Sequence, residues 1–174
     1  MDILISSNLE RLLFLLSDGD DQLVTDYMNQ LKENGCYQVN DAIREKIQAI
    51  FTGGYSSEED TEKTIAGMKK QHGYLIDTHT AVAFHVLDQY RKATGDTAKT
   101  VVASTASPFK FCDAVLDALE ISDKASGTAL LEQLEQVTGV KAPQPLATLK
   151  DKQVRFDGWT EKEQMQSVVT DFLK

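Results

Sequence analysis

The chain has 174 residues, of which 41% are hydrophobic and 26% are charged, a composition typical of one compact soluble domain. Its 18 basic and 27 acidic residues give a formal net charge of −9, which argues against a nucleic-acid binder and against a polybasic membrane-surface protein. The longest apolar run, Leu12–Leu16, is too short to span a bilayer, and no signal peptide is recognisable, so we expect a cytoplasmic protein with reduced Cys36 and Cys112.

Helix start and stop signals predict four helices in the first part of the chain. Ser7 and Glu10 have the spacing of a capping box, in which the two side chains satisfy free N–H groups at the helix start. The fourth helix is charged over most of its surface, so we expect it at the outside of the fold. The predicted helices are Asn8–Leu16, one from Asp20 or Asp21 to Asn34, one from Asn40 to the pair Gly53-Gly54, and one that begins at Ser56 or Ser57.

Segments with β-strand character lie in the second part of the chain. Lys99–Ala103 has a β-branched run without polar alternation, which predicts a strand buried on both faces. Gly73–Asp77 is predicted as a short strand or extended turn, and Val154–Phe156 as an edge strand. Further helices are predicted at Thr80–Tyr90, from Pro108 to about Leu119, at Thr128–Val137 and from Thr160 to Leu173, with Val140–Leu149 as a tether or loop.

These elements predict a helix-rich α/β fold with few strands. No repeat, low-complexity tract or domain boundary is evident, so residues 1–174 are expected to form a single unit. Two or three strands make a thin sheet, which suggests that the chain is part of a larger α/β assembly.

A carboxylate and an imidazole stand two residues apart at Asp77 and His79, between an extended segment and a helix start. Such a pair can transfer protons or bind a metal ion in a hydrolase. The interpretation that we favour is that Asp77 caps the helix and His79 packs beside it. His72 and His85 do not complete a recognisable ligand pattern.

Two polar segments are candidate binding sites. The hydroxyls of Ser104 and Thr105, after the predicted strand, could bind a heteroaromatic nitrogen or a phosphate, or could instead satisfy the loop backbone before Pro108. The second segment, residues 6–11, stands at a helix N-terminus and could bind an anion. There the favoured alternative is a plain capping box beside a surface arginine.

Three strings in the chain resemble motifs of threonine synthase. Met1–Phe14 is similar to the family's DILxSSNxERLL, Gly73–Val82 to GYLIDPHTAxG, and Ser104–Phe111 to STAHPAKF. They occur in the family's order and, with looser similarity around Pro145, extend over essentially the whole chain. The resemblance covers only the C-terminal portion of the family.

The resemblance implies a pyridoxal-phosphate enzyme, a lyase of the tryptophan-synthase-β-like fold, of which this chain is a partial fragment. The family converts O-phospho-L-homoserine and water to L-threonine and phosphate. Its Schiff-base lysine and its glycine-rich phosphate loop belong to an N-terminal portion, and neither motif is found here. We therefore expect the chain alone to be inactive and to need that missing portion as a partner, while assembly into a homo-oligomer stays open. The alternative is a non-catalytic binding or oligomerisation module.

The resemblance also assigns roles to four residues. It implies that Thr105 faces the pyridine nitrogen of the cofactor, and that Ser6, Asn8 and Arg11 lie near the substrate, with Arg11 as a partner for the substrate phosphate. It assigns no catalytic residue, no metal ligand and no chemical step to Asp77 or His79. The chain departs from the family pattern at Thr78 and Ala83. It also departs at Ser107 and Phe109, near the expected cofactor loop, where the resemblance leaves the shape of the pocket open.

Overall fold

The computed structural model describes residues 5–155 and 157–174, and in these residues it contains helices and irregular segments but no β-strand. Three single turns of 3₁₀-helix lie at Pro108–Lys110, Leu149–Asp151 and Lys162–Gln164. The α-helices are α1 (Ser7–Leu16), α2 (Asp21–Asn34), α3 (Asp41–Gln48), α4 (Glu58–His72), α5 (Thr78–Thr94), α6 (Cys112–Ala118), α7 (Ala129–Thr138), α8 (Gln144–Ala147) and α9 (Met165–Phe172).

Side-chain caps set the start of most of the longer helices, and several fall where the sequence predicts them. Asp20 accepts a hydrogen bond from the N–H of Leu23 at 2.9 Å, and Asn40 accepts one from Ile43 at 2.9 Å. The predicted cap of α1 is wrong by one residue. Ser6 has the extended backbone of an N-cap and accepts from Leu9 at 3.3 Å, whereas Ser7 is already helical.

The first core cluster joins α1, α2 and α3. Its buried members are Leu13, Val24, Tyr27 and Ile43. The Tyr27 hydroxyl accepts from the backbone N–H of Asn40 at 3.0 Å, which fixes the start of α3 against α2. The buried aromatic ring therefore packs in the core and also satisfies a backbone donor.

The second core cluster surrounds Ile65 of α4, which is fully buried. Both α5 and α6 contact α4, and Val115 and Leu116 of α6 are fully buried as well. The expectation that α4 lies at the outside of the fold is confirmed by its exposed charged residues, and its narrow apolar stripe is enough to contact two neighbouring helices. That residues 1–174 form a single unit stays a prediction.

The predicted strands are the main correction to the α/β assignment. Residues 99–103 adopt no regular secondary structure, and Val101 is 95% exposed instead of buried. The structure describes no partner strand for this segment, and a strand without a ladder cannot satisfy its backbone groups or cover its side chains. Residues 73–77 form the predicted extended turn, with Leu75 and Ile76 buried.

The last part of the chain differs from the prediction in three places. The helix expected from Thr160 begins at Met165, after the 3₁₀ turn Lys162–Gln164. The expected loop at residues 140–149 includes the short helix α8. Val154 and Arg155 are not in a strand, and Phe156 lies outside the described residues. Within the described part of the chain, no helix is both long enough and apolar enough to cross a membrane.

The cap of α1 can be tested with two neighbouring serines. Ser6→Ala removes the acceptor for Leu9 and should lower the free energy of unfolding by about 1 kcal/mol. Ser7→Ala is the matched control and should change it by less than about 0.5 kcal/mol. Urea denaturation followed by far-ultraviolet circular dichroism measures both, and a larger loss in the Ser7 variant would contradict the assignment.

The cap of α4 should be visible in the titration of Asp60. The Ser57 hydroxyl donates to the Asp60 carboxylate at 2.6 Å, and this hydrogen bond lowers the pKa of Asp60 below its ordinary value. At pH values above the pKa that Asp60 has in the unfolded chain, Asp60 thus stabilises the folded chain. This contribution is lost as the pH falls through the lower pKa that Asp60 has in the folded chain. Ser57→Ala should raise the Asp60 pKa in an NMR titration, whereas Ser56→Ala should not. An unchanged pKa in the Ser57 variant would refute the account.

Candidate functional site

The most buried polar group near the predicted site is the carboxylate of Asp77, whose residue is 0% exposed. One oxygen accepts from the backbone N–H groups of His79 at 2.9 Å and Thr80 at 3.3 Å. The other accepts from the Thr80 hydroxyl. Asp77 therefore caps α5, as the favoured interpretation of the sequence predicts.

His79 packs beside this cap. Its Nδ1 atom lies 3.2 Å from Oδ1 of Asp77, and its ring contacts the ring of Phe111 at a centroid distance of 5.0 Å. His85 has other neighbours, with Nε2 2.8 Å from the Gln89 amide nitrogen. In the described part of the chain, no group of three or more histidine, cysteine or acidic side chains could hold a metal ion. The metal-dependent hydrolase hypothesis thus has no ligand set in these residues.

The Asp77 cap also reaches the segment that contains Thr105. The hydroxyl oxygens of Thr80 and Ser104 are hydrogen-bonded at 3.2 Å, although the two residues are 24 positions apart in sequence. Asp77, Thr80 and Ser104 thus form one hydrogen-bonded chain from the core to the surface. Sequence reasoning singled out Asp77 and Ser104 separately but missed Thr80, because its i+3 position after Asp77 gives no sign of a distant partner.

Thr105 itself is exposed, and its hydroxyl has no hydrogen-bond partner among the described residues. A threonine hydroxyl can donate one proton and accept two, so it is chemically suited to the nitrogen of a heteroaromatic ring. The alternative that Thr105 serves only to satisfy the loop backbone has no contact to support it in this structure. The donor available at position 105 therefore fits the role that the resemblance assigns to it.

The three predicted substrate residues lie at the start of α1. Asn8 accepts a hydrogen bond from the Arg11 guanidinium, so the structure brings these two side chains together. Ser6 is already used as the helix cap. Arg11 borders a concavity of about 360 Å³ to which Glu10 and Asp21 also contribute carboxylates, and Thr105 is not among its lining residues.

The two cysteines differ in environment, and Cys112 packs in the interior. Its thiol is buried and donates to the carbonyl oxygen of Phe109 at 3.2 Å. Burial raises the pKa of Cys112, which disfavours a reactive thiolate. Cys36 is exposed.

Comparison with known proteins gives consistent matches. The model of the family described as threonine synthase, C-terminal, matches residues 80–169, just over half of the chain. Threonine synthase of Saccharomyces cerevisiae is 38% identical over 134 residues, which cover 68% of this chain and 26% of the yeast protein. Threonine synthase-like 1 of Homo sapiens is 37% identical over 123 residues, which cover 71% of this chain and 16% of the human protein. The chain thus spans between a sixth and about a quarter of the length of these relatives.

Solved structures agree with the sequence matches. The crystal structure of threonine synthase from yeast superposes with a TM-score of 0.72 at 30% identity and covers 99% of this chain and 35% of that one. The structure of threonine synthase from Brucella melitensis with bound pyridoxal phosphate gives a TM-score of 0.61 at 37% identity, covering 78% of this chain and 28% of that one. The three motifs, the family match and the structural neighbours all agree, and the chain belongs to the threonine synthase family, in which it corresponds to the C-terminal part.

Proposed function

We propose that this chain is the C-terminal part of a threonine synthase that converts O-phospho-L-homoserine and water to L-threonine and phosphate with pyridoxal phosphate. The observation that carries the proposal is the family match, which includes the motif position Thr105. The hydroxyl of Thr105 is exposed and has no partner among the residues that the structure describes. The enzyme would be a cytoplasmic lyase of the tryptophan-synthase-β-like fold, acting in amino-acid biosynthesis.

Thr105 is the residue of this chain that would contact the cofactor. Pyridoxal phosphate, when bound, withdraws electrons from the carbon skeleton of an amino-acid substrate. A neutral hydroxyl can donate a hydrogen bond to the pyridine nitrogen without transferring its proton, because its own pKa is far too high. Thr105 would therefore orient the ring while leaving its nitrogen largely unprotonated.

Asn8 and Arg11 would contact the substrate phosphate. An arginine guanidinium has five N–H donors in a planar fork, which matches phosphate oxygens better than a lysine does. The hydrogen bond from Arg11 to Asn8 uses only part of this set and restricts the direction of the side chain. Ser6 would support the site indirectly, because its hydroxyl caps the helix that holds both residues.

The partner of this chain would be the N-terminal portion of the enzyme, which would supply the Schiff-base lysine and the phosphate loop. Exposed apolar side chains support such a partner: Val101 is 95% exposed and Trp159 85%. Helix α9 also exposes one apolar row, at Met165, Val168, Val169 and Phe172. An apolar row exposed along one helix face is typical of an interface.

A hybrid enzyme tests the function directly. This chain replaces the matching C-terminal part of yeast threonine synthase, and we expect the hybrid to form L-threonine from O-phospho-L-homoserine. Thr105→Ala should weaken its affinity for pyridoxal phosphate about tenfold, since one hydrogen bond to the ring is lost. Thr105→Ser keeps the hydroxyl and is the matched control. A folded but inactive hybrid would instead favour the non-catalytic module.

The chain alone should not react covalently with the cofactor, because a Schiff base requires a positioned amine that we assign to the N-terminal portion. Incubation with pyridoxal phosphate, reduction with borohydride and peptide mass spectrometry should give only scattered, substoichiometric lysine labelling. The hybrid is the positive control. A stoichiometric adduct on one lysine of the isolated chain would contradict the proposal.

A further inference from the structure

The segment from Val101 to Ala106 has a single hydrogen-bonded attachment within the described part of the chain. The segment just before it is held by Arg91, whose guanidinium donates to the carbonyl of Ala98 at 3.0 Å and to the hydroxyl of Thr100 at 3.1 Å. From 101 to 106 the hydrogen bond between Ser104 and Thr80 is the one hydrogen bond that the described residues provide.

The inner end of this attachment is rigid. Thr80 is 2% exposed and Asp77 0%, so neither side chain has room to change its rotamer without repacking the core. The carboxylate of Asp77 accepts three hydrogen bonds from the first turn of α5, two of them from Thr80. The preceding Ile76 is buried in the second core cluster. The position of the Thr80 hydroxyl is therefore fixed by the fold.

We propose that Asp77 and Thr80 are positioning residues for the cofactor site and that they act through Ser104 to hold the hydroxyl of Thr105. This inference rests on the proposed function, in which Thr105 faces the pyridine nitrogen. Neither Asp77 nor Thr80 would touch the cofactor. They would instead restrict the motion of the segment that carries Thr105.

The physical gain from such an attachment is preorganisation. A hydroxyl on a freely moving segment has to be ordered when a ligand binds, and that ordering reduces affinity. A supporting hydrogen bond from a buried residue removes much of this cost before binding. The hydrogen bond at Ser104 is one residue from Thr105. Its loss should therefore weaken the hydrogen bond between the Thr105 hydroxyl and the cofactor nitrogen.

Backbone ¹⁵N relaxation on the 174-residue chain tests the attachment without any cofactor. We expect the order parameter of the Thr105 amide to be near 0.85 in the parent chain and to fall below about 0.6 in Ser104→Ala. Ser104 is exposed, so this variant should keep the fold. Thr80→Val should have the same effect, and Thr80→Ser, which keeps the hydroxyl, should restore the parent value.

Thr100→Val is the matched control, because it removes a hydroxyl of the neighbouring segment that, among the described residues, bonds only to Arg91 and Ala98. It should leave the Thr105 order parameter unchanged. An equal loss of order in this variant, or no loss in Ser104→Ala, would overturn the proposal.

Cofactor affinity in the hybrid enzyme separates this inference from the proposed function. Ser104→Ala should weaken binding of pyridoxal phosphate about three- to tenfold when Thr105 is present and not at all in the Thr105→Ala background. If Thr105→Ala alone has no effect, the cofactor role of Thr105 is wrong and this inference falls with it. If Thr105→Ala weakens binding but Ser104→Ala and Thr80→Val do not, only the positioning role is refuted.

Discussion

A carboxylate that is buried needs hydrogen-bond donors around it, because it has lost its contacts with water. In this chain the buried carboxylate of Asp77 determines the local structure, since its neighbours must supply those donors. Its acceptors are filled by the first turn of α5, which fixes where that helix begins. Thr80 then has one hydroxyl that contacts both Asp77 and Ser104. The same buried side chain thus caps one helix and, through Thr80, is linked by hydrogen bonds to a distant segment.

The rest of the architecture leaves that segment and several apolar residues exposed. Two clusters of buried residues form, one around Leu13 and one around Ile65. Outside them Val101, Trp159 and the apolar row of α9 remain in contact with solvent. In the structural comparison, nearly the whole of this chain superposes on about a third of threonine synthase from yeast. Under the proposed function, the N-terminal portion of the enzyme would cover these residues.

Sequence reasoning succeeded where the determining contacts are local. The caps at Asp20, Asn40, Ser57 and Asp77 were predictable because the side chain bonds to a backbone N–H two or three residues later. The cap at Ser6 was missed because Ser7 and Glu10 have the spacing of a capping box, and only the backbone angles show that Ser6 is the N-cap. The family could be identified because its motifs are contiguous strings.

Sequence reasoning failed where the partner is remote. The β-branched run at residues 99–103 has strand propensity, but a strand exists only with a neighbour, and the described residues provide none. The contact between Thr80 and Ser104 joins positions 24 residues apart, and no local rule predicts it. The position of Thr105 relative to Arg11 likewise depends on tertiary structure and could not be derived from spacing.

The central claim is that this chain provides one wall of a pyridoxal-phosphate site. A crystal structure of the hybrid enzyme with the cofactor bound tests it most directly, through the distance between Oγ1 of Thr105 and the pyridine nitrogen. We expect a separation of about 2.7–3.2 Å, within the range of a hydrogen bond. A pyridine nitrogen that faces another residue, with Thr105 turned to solvent, would contradict the account.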